Sequence, residues 1–455
     1  MTDYGLLTLA PAVLVIILAI KTKRTTEPLI IGFVLSYIII DGVKCIPSII
    51  QSFFSVITDY DNVWIIVTTG FFGSLITLLN ASHGTHAFAK SLSKFCDTGK
   101  KTLVLSWIMG IMIFIDDYLN IMTINSCMRQ ISDRNKEPRE SLAYVIDSTG
   151  SPTCVLVPFS GWAIFYSKSF FEQKAVQGLG FSSAMQAYVH AIPFMFYAIA
   201  SLLIVLFFVV GIIPKVGAMN AAYVRVEKTG KVYSEASEKF NLTNDTYNHE
   251  GKANIIDFLL PMGIMIIITV IFDDILLGLL AAILLCLLMY VPRKLMSLED
   301  FCDLWIKGFA DTIPMSAIIV AALCMRTASS DINLPDYVIS HVMPFVSQNT
   351  FPAIAFLVVA ALAFITGSNW GIPAVCVPII IPLGAACGAN ILLVMGAIVS
   401  GGVFSSHACY YSDTTVLTSA YCGIDNVDHV TTQMPYALIG LVVSFLAYLI
   451  CGFAI

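Results

Sequence analysis

Phe114-Ile115-Asp116-Asp117-Tyr118-Leu119-Asn120 ends an apolar run that begins at Leu103, and Asp147-Ser148-Thr149-Gly150-Ser151-Pro152 interrupts another that continues to Trp162 and Tyr166. Between the two lies a basic, polar run from Arg129 to Glu140. Carboxylates at the depth of a hydrocarbon layer are costly, and they are kept where they face a protein-lined cavity and handle ions, protons or substrate. The stretch therefore reads as part of a membrane transporter whose ion site is built here and in a second stretch near the C-terminus.

Composition supports that class. Of 455 residues 58% are apolar and only 12% charged, with a mean hydropathy of +0.85; soluble domains carry about 25% charged residues. The twelve cysteines are scattered without a pair at metal-ligand spacing and mostly lie inside apolar runs, so they read as packing residues. The N-terminus lacks the basic region and cleavage site of a signal peptide, so the first apolar run is expected to be retained. The net charge of −6 says little about partners. No nucleic acid, and no cofactor beyond a transported or coupling Na⁺, is expected.

Spans follow from runs of about 20 apolar residues. Tyr4 to Ile20 is the first, stopped by Lys21-Thr22-Lys23-Arg24, which the positive-inside rule places in the cytoplasm. Pro28 to Ile40 and Val63 to Leu79 follow, with an interfacial helix over Ile46 to Ile57. Thr102 to Met128 has basic clusters at both ends, Lys100 and Lys101 before it and Arg129, Arg134, Lys136 and Arg139 after it. Its length, roughly 40 Å at 1.5 Å per residue, is enough for one tilted span but too short for two; a hairpin turning at 116–120 keeps both clusters inside, and one sharply tilted helix is the alternative. A second helix, Leu142 to Phe165, is expected to break at 147–152, where Gly150 and Pro152 are poor helix formers. Ala187 to Ile212 reads as one long span. Residues 214–252 form a hydrophilic, cytoplasmic loop that divides the chain into halves, 1–213 and 253–455.

In the second half Ile255 to Ile271 and Ile275 to Met289 flank an outer turn at Asp273-Asp274. Leu298 to Phe309 reads as interfacial and Thr312 to Cys324 as a span, with a short apolar piece at Tyr337 to Phe345. A polar break, Thr366-Gly367-Ser368-Asn369-Trp370-Gly371, follows Phe351 to Ile365. Another, Ser405 to Thr415, follows Ile391 to Phe404, and Tyr436 to Ile450 is the last span. The acid-containing breaks at 114–120 and 405–415, and the Gly/Pro breaks at 147–152 and 366–373, make the halves rhyme. Interrupted helices at matching places point to internal repeats around a central site.

Sodium is a hard cation that takes oxygen ligands. Asp116, Asp117, Asn120, Asp147, Ser148 and Thr149 offer them in the first half; Ser412, Asp413, Thr414 and Thr415 offer them in the second. Asp117, Asp147 and Asp413 are the expected metal-binding carboxylates. An acid that can hold either a proton or Na⁺ is the simplest basis for exchange, and Asp147 leads the order, before Asp117, Asp413 and Asp116. Thr366, Ser368, Asn369, Trp370, His407 and Tyr410 are the expected substrate contacts. His83 and His86 lie where a span meets the cytoplasm, as pH sensors or simple hydrogen-bonding groups.

Several of these stretches resemble the NhaC family of sodium/proton antiporters, in the ion-transporter superfamily. They are Phe114 to Asn120, Met128-Arg129 with Asp133-Arg134, Leu142 to Thr149, Thr366 to Gly371, Ser412 to Thr415, and His429 to Tyr436. The resemblance runs from about residue 60 to the C-terminus. It implies a bacterial or archaeal cytoplasmic-membrane antiporter, either a Na⁺/H⁺ exchanger or an exchanger of malate against lactate with coupled H⁺ and Na⁺, with some relatives carrying amino acids. The fold it implies is all-α, two inverted repeats with re-entrant hairpins and discontinuous helices, commonly a homodimer with an elevator-like transport domain. The chain departs from the family at Ser406, where relatives have an acid, and at Tyr410, where they have proline.

Cation/proton antiport is the leading expectation. The alternative is coupled movement of a small organic anion or amino acid, which calls for a cationic or amide-rich contact; no arginine falls within an expected span, which favours small cations. A channel would need a continuous pore, and no nucleophile–base set or metal cluster suggests an enzyme.

Overall fold

In lipid every backbone N–H and C=O must be satisfied within its own segment, so apolar runs of this length fold as helices. The computed structural model describes residues 4–22, 26–92, 96–114, 117–158, 160–240, 254–272, 274–334, 337, 346–367, 369 and 371–455, and their regular structure is all helical. Four stretches are long and apolar enough to cross a bilayer: Thr26–Thr58, Asn62–Ala81, Ile391–Cys422 and Asn426–Ala454. Two bent pairs join them, Arg139–Leu156 with Gly161–Phe171 at 49° and Ala184–Phe194 with Phe196–Val210 at 52°. The expected single span from Ala187 to Ile212 is thus a bent one, turned at Ile192-Pro193-Phe194, where proline withholds an amide.

The helices outside the breaks come first. α1 (Ala10–Thr22), α2 (Thr26–Asp41), α3 (Cys45–Thr58), α4 (Tyr60–Ala81) and α5 (Gly84–Leu92) open the chain. After them come α6 (Gly99–Met112), α7 (Asp117–Arg134), α8 (Arg139–Leu156), α9 (Gly161–Phe171), α10 (Lys174–Gln177), α11 (Ala184–Ala191), α12 (Phe196–Val210) and α13 (Gly217–Thr229). α14 (Ile256–Phe272), α15 (Ile275–Tyr290), α16 (Leu298–Asp311) and α17 (Ile313–Asp331) begin the second half. Asp274 caps α15 and accepts from the Trp64 indole at 3.4 Å, in keeping with a turn beside the start of α4. α16 is amphipathic as expected, but it lies in close contact with α4: a methyl on Gly73 would stand 2.5 Å from the Gly308 carbonyl. α17 runs past the expected end of its span and so carries Arg326, half-buried, whose guanidinium donates to Asn62 at 3.1 Å. Arg326 thus lies on a helix beyond the expected span, half-buried rather than buried. The apolar sequence simply tails off before the helix does.

Two hairpins position the site. In the first, α6 and α7 fold back on each other, and the Asn135 amide closes the base by donating to the Cys96 carbonyl (2.8 Å) and Thr102 Oγ1 (2.7 Å). At the tip the Asn120 amide donates to the carbonyls of Gly110 and Ile113, each at 2.7 Å, which satisfies the open end of α6. The second hairpin is α18 (Phe351–Thr366) and α19 (Gly371–Ala386). Its base brings Gly388 beside the Gln348 side chain, and its tip turns at Gly367, φ +67°, where a methyl would stand 2.4 Å from the Tyr411 ring.

The break expected at 147–152 is not there. α8 runs unbroken through Gly150 and Pro152 to Leu156, and the chain bends after it, at residues 157–160. Proline at 152 frees the carbonyl of Ser148, four residues back. Ser201 of α12 takes that carbonyl with its hydroxyl at 3.0 Å, so the helix loses nothing by continuing. In the second half α20 (Ile391–Ala408) likewise carries Ser405, Ser406 and His407 as helix, and the interruption is 409–412, before α21 (Asp413–Cys422) and α22 (Asn426–Ala454).

Residues 214–240 pack against the ends of α8 and α22. The Arg139 amide donates to the Val232 carbonyl at 2.9 Å, Arg225 forks onto the buried Glu140 with two bonds of 2.8 Å, and Lys239 pairs with Asp425 at 3.0 Å. Gly452, at the far end of α22, meets the Asn349 backbone at the base of the second hairpin. The two hairpin bases therefore lie at opposite ends of α22, whose 29 residues span about 43 Å. Residues 241–253, with Asn241 and Asn244, and the apolar piece 338–345 lie outside the described residues.

Candidate functional site

Asp147 sits in the interior of α8, where the backbone amides are already used by the helix, so its carboxylate depends on side chains from elsewhere. It is 1% exposed. Oδ2 accepts from Gln433 Nε2 of α22 at 2.8 Å and from Thr415 Oγ1 of α21 at 3.3 Å, and Oδ1 accepts from Thr418 Oγ1 at 3.4 Å. His429 Nε2, one turn before Gln433, lies 3.8 Å from Oδ2, and its Nδ1 faces Ser419 Oγ at 2.8 Å. No Lys or Arg among the described residues bonds to Asp147.

Two further carboxylates are knitted to this one. Asp117 begins α7 at the tip of the first hairpin, fully buried, and accepts from Ser151 Oγ at 3.2 Å. Ser151 lies one turn beyond Asp147 on the same face of α8. Asp413 begins α21 and accepts from the Thr414 amide at 2.8 Å and from the Tyr118 hydroxyl at 2.6 Å. The three helices α7, α8 and α21 are thus linked in a ring, Asp117 to α8, Asp147 to α21, and Asp413 back to α7. Glycine lets them close: a methyl on Gly110 would stand 2.4 Å from Thr149 Oγ1, and one on Gly150 would touch Asn120 Oδ1.

The expected residues divide as follows. Asp117, Asn120, Asp147, Ser412, Asp413, Thr414 and Thr415 come together, with Thr414 and Thr415 also donating to the Ser406 carbonyl. Thr149 turns its hydroxyl back to the Val145 carbonyl at 2.7 Å, and Ser148 contributes the carbonyl held by Ser201. Thr366 likewise bonds its own helix at Leu362, 2.8 Å away. The His407 ring faces the Tyr197 hydroxyl at 3.2 Å while its carbonyl takes Gln433 Nε2 at 2.6 Å, and the Tyr410 carbonyl takes the Asn426 amide. Asn369 is buried beside Gly402 and Tyr166. Asp116, Ser368 and Trp370, and the side chain of His86, lie outside the described residues. Gln433, His429 and Thr418 are partners that sequence reasoning missed. The available signals were the family-like stretch His429 to Tyr436, which holds His429 and Gln433, and helical spacing, His429 and Gln433 four apart and Thr415 and Thr418 three apart.

Comparison with known proteins gives the family. A family model described as the Na⁺/H⁺ antiporter family matches residues 153–453. An uncharacterized protein of Haemophilus influenzae is 25% identical over an alignment covering 98% of this chain and 90% of that protein. An uncharacterized Na⁺/H⁺ antiporter of the same organism is 25% identical over 34% of this chain and 33% of its own length. The malate-2H⁺/Na⁺-lactate antiporter of Bacillus subtilis is 26% identical over 24% of each chain. The chain belongs to the Na⁺/H⁺ antiporter family, and it is a multi-pass secondary transporter of the bacterial inner-membrane type rather than an enzyme.

Proposed function

We propose that the chain exchanges Na⁺ for H⁺, the two competing for Asp147. The observation that carries this reading is a deeply buried carboxylate whose bonds all come from neutral donors. A charge removed from water without a fixed counter-charge requires either a proton or a cation. Loading one expels the other, and movement between the two faces then couples opposite fluxes. Asp117 and Asp413 flank the competing site, with hydroxyl and amide oxygens of Asn120, Ser412, Thr414 and Thr415 to replace the hydration shell of Na⁺.

Many secondary transporters build alternating access from related repeats, and the element order supports such a frame. The halves 1–213 and 253–455, joined through 214–252, are two inverted repeats. The break between α6 and α7 corresponds to that between α18 and α19, and the bend after α8 to the interruption between α20 and α21. This pairing replaces the one that composition alone suggests. The assembly is a homodimer in this reading.

A second reading, coupled transport of a small organic anion, is favoured by one cluster. Asn369 Nδ2 and the Tyr166 hydroxyl are buried, and among the described residues neither has a hydrogen-bond partner. The Tyr166 hydroxyl and the Asn369 main chain both lie beside Gly402, and an N–H and an O–H donor suit an acceptor such as a carboxylate. Proteoliposomes decide between the two. With an imposed Na⁺ gradient and an internal pH dye, proton flux without any organic solute is expected. Strict dependence on malate, lactate or an amino acid would replace the first reading by the second.

A further inference from the structure

We propose that Gln433 gives the cation at the Asp147 site a ligand of its own, the amide oxygen Oε1, and that this residue biases the competition toward metal over proton. The proposal rests on the ion-exchange reading above. Gln433 is 0% exposed. Its Nε2 donates both to Asp147 Oδ2 at 2.8 Å and to the His407 main-chain carbonyl at 2.6 Å. A main-chain carbonyl can only accept, so the amide cannot be turned over without setting two carbonyl oxygens against each other. That constraint holds whether Asp147 carries a proton or not. Oε1 is consequently the free end of the amide; no donor among the described residues meets it in hydrogen-bond geometry, and the His429 ring is the neighbour that interacts with this side chain.

A buried amide oxygen left without a donor is costly, and a hard cation relieves that cost because it takes carbonyl and amide oxygens as ligands. The two neighbouring groups then divide the work by chemistry. Asp147 accepts a proton or a cation, whereas a neutral amide accepts the cation and remains unprotonated throughout the physiological range. The rival donor is His429, one turn earlier on the same helix and 3.8 Å from Asp147 Oδ2. An Nε2–H turned onto Oε1 would leave the oxygen no role in binding metal.

The test is direct ²²Na⁺ binding to the purified full-length protein, with proton competition measured on the same samples. Gln433→Met removes the oxygen and the donor at similar volume, and Gln433→Glu keeps an oxygen but loses the donor. The expected result is a Na⁺ half-saturation raised at least tenfold in Gln433→Met and near wild type in Gln433→Glu. Wild-type Na⁺ affinity in Gln433→Met would overturn the proposal. So would an equal loss in both variants, which is the signature of a residue that only positions Asp147. Because binding is read without transport, a wild type that binds Na⁺ yet moves no protons would count against the exchange reading alone.

Discussion

Asp147 and Asp413 differ in what their backbone can do for them. Asp413 starts a helix and takes the Thr414 amide, and an acid at a helix N-terminus gains from the helix dipole. Asp147 is mid-helix and relies on Gln433, Thr415 and Thr418. The hydroxyls can rotate to serve either a carboxylate or an amide, so Asp147→Asn is expected to fold normally, with thermal unfolding in detergent close to wild type. Na⁺-driven proton flux in proteoliposomes should fall at least a hundredfold; flux at half the wild-type rate would remove Asp147 from the competing role. The acids were legible because a carboxylate inside an apolar run is too costly to persist without an ion, a proton or a partner to offset its burial. Gln433 was not, since it sits 286 positions from Asp147 in sequence and a lone amide on a long helix carries no local sign of which way it faces.

At the scale of elements, the sequence located the breaks more roughly than it located their chemistry. Gly150 and Pro152 look like an interruption, yet Ser201 holds the carbonyl that Pro152 frees, and a partner on another helix is invisible in a local pattern. Ser201→Ala should therefore cost about 1–3 kcal/mol, the usual penalty for a stranded buried acceptor, and Ser201→Thr should recover most of it in thermal unfolding. The first hairpin was readable, because basic clusters at both ends of a short apolar run leave few other foldings. Its base also contains Glu137, in the turn between α7 and α8, which sits so close to Gly99 at the start of α6 that a methyl there would collide with Oε1. Burial pushes the Glu137 carboxyl above its ordinary range, while the Tyr223 hydroxyl and the Lys215 charge oppose the shift. A value raised on folding means that stability is complete at low pH and is lost as pH rises through the folded-state value. Thermal unfolding followed from about pH 5 to about pH 9 should show that loss in the wild type, and Glu137→Gln should flatten it. A wild-type curve that rises with pH over this window would contradict the assignment.

Across the whole molecule, α22 acts as a ruler. One end is tied through Asp425 to Lys239 and through that segment to the turn before α8, and the other meets Asn349 at the second hairpin. The basic residues Lys100, Arg134 and Arg139 gather at the first end, which the positive-inside rule assigns to the cytoplasm. On the proposed inverted-repeat reading, the base of the second hairpin faces outward. Two native cysteines report on this arrangement, because among the described residues Cys302 and Cys387 are the exposed ones. Cys387 follows α19 at the base of the second hairpin, and Cys302 lies on α16, shortly after Arg293 and Lys294. A membrane-impermeant maleimide should modify Cys387 in right-side-out vesicles and spare Cys302, and the preference should reverse in inverted vesicles. Cys302→Ser and Cys387→Ser identify the labelled positions without touching the site. Modification of both cysteines from one side would place the hairpin bases on a common face, and a pair of hairpins entering from the same side cannot be related by inversion.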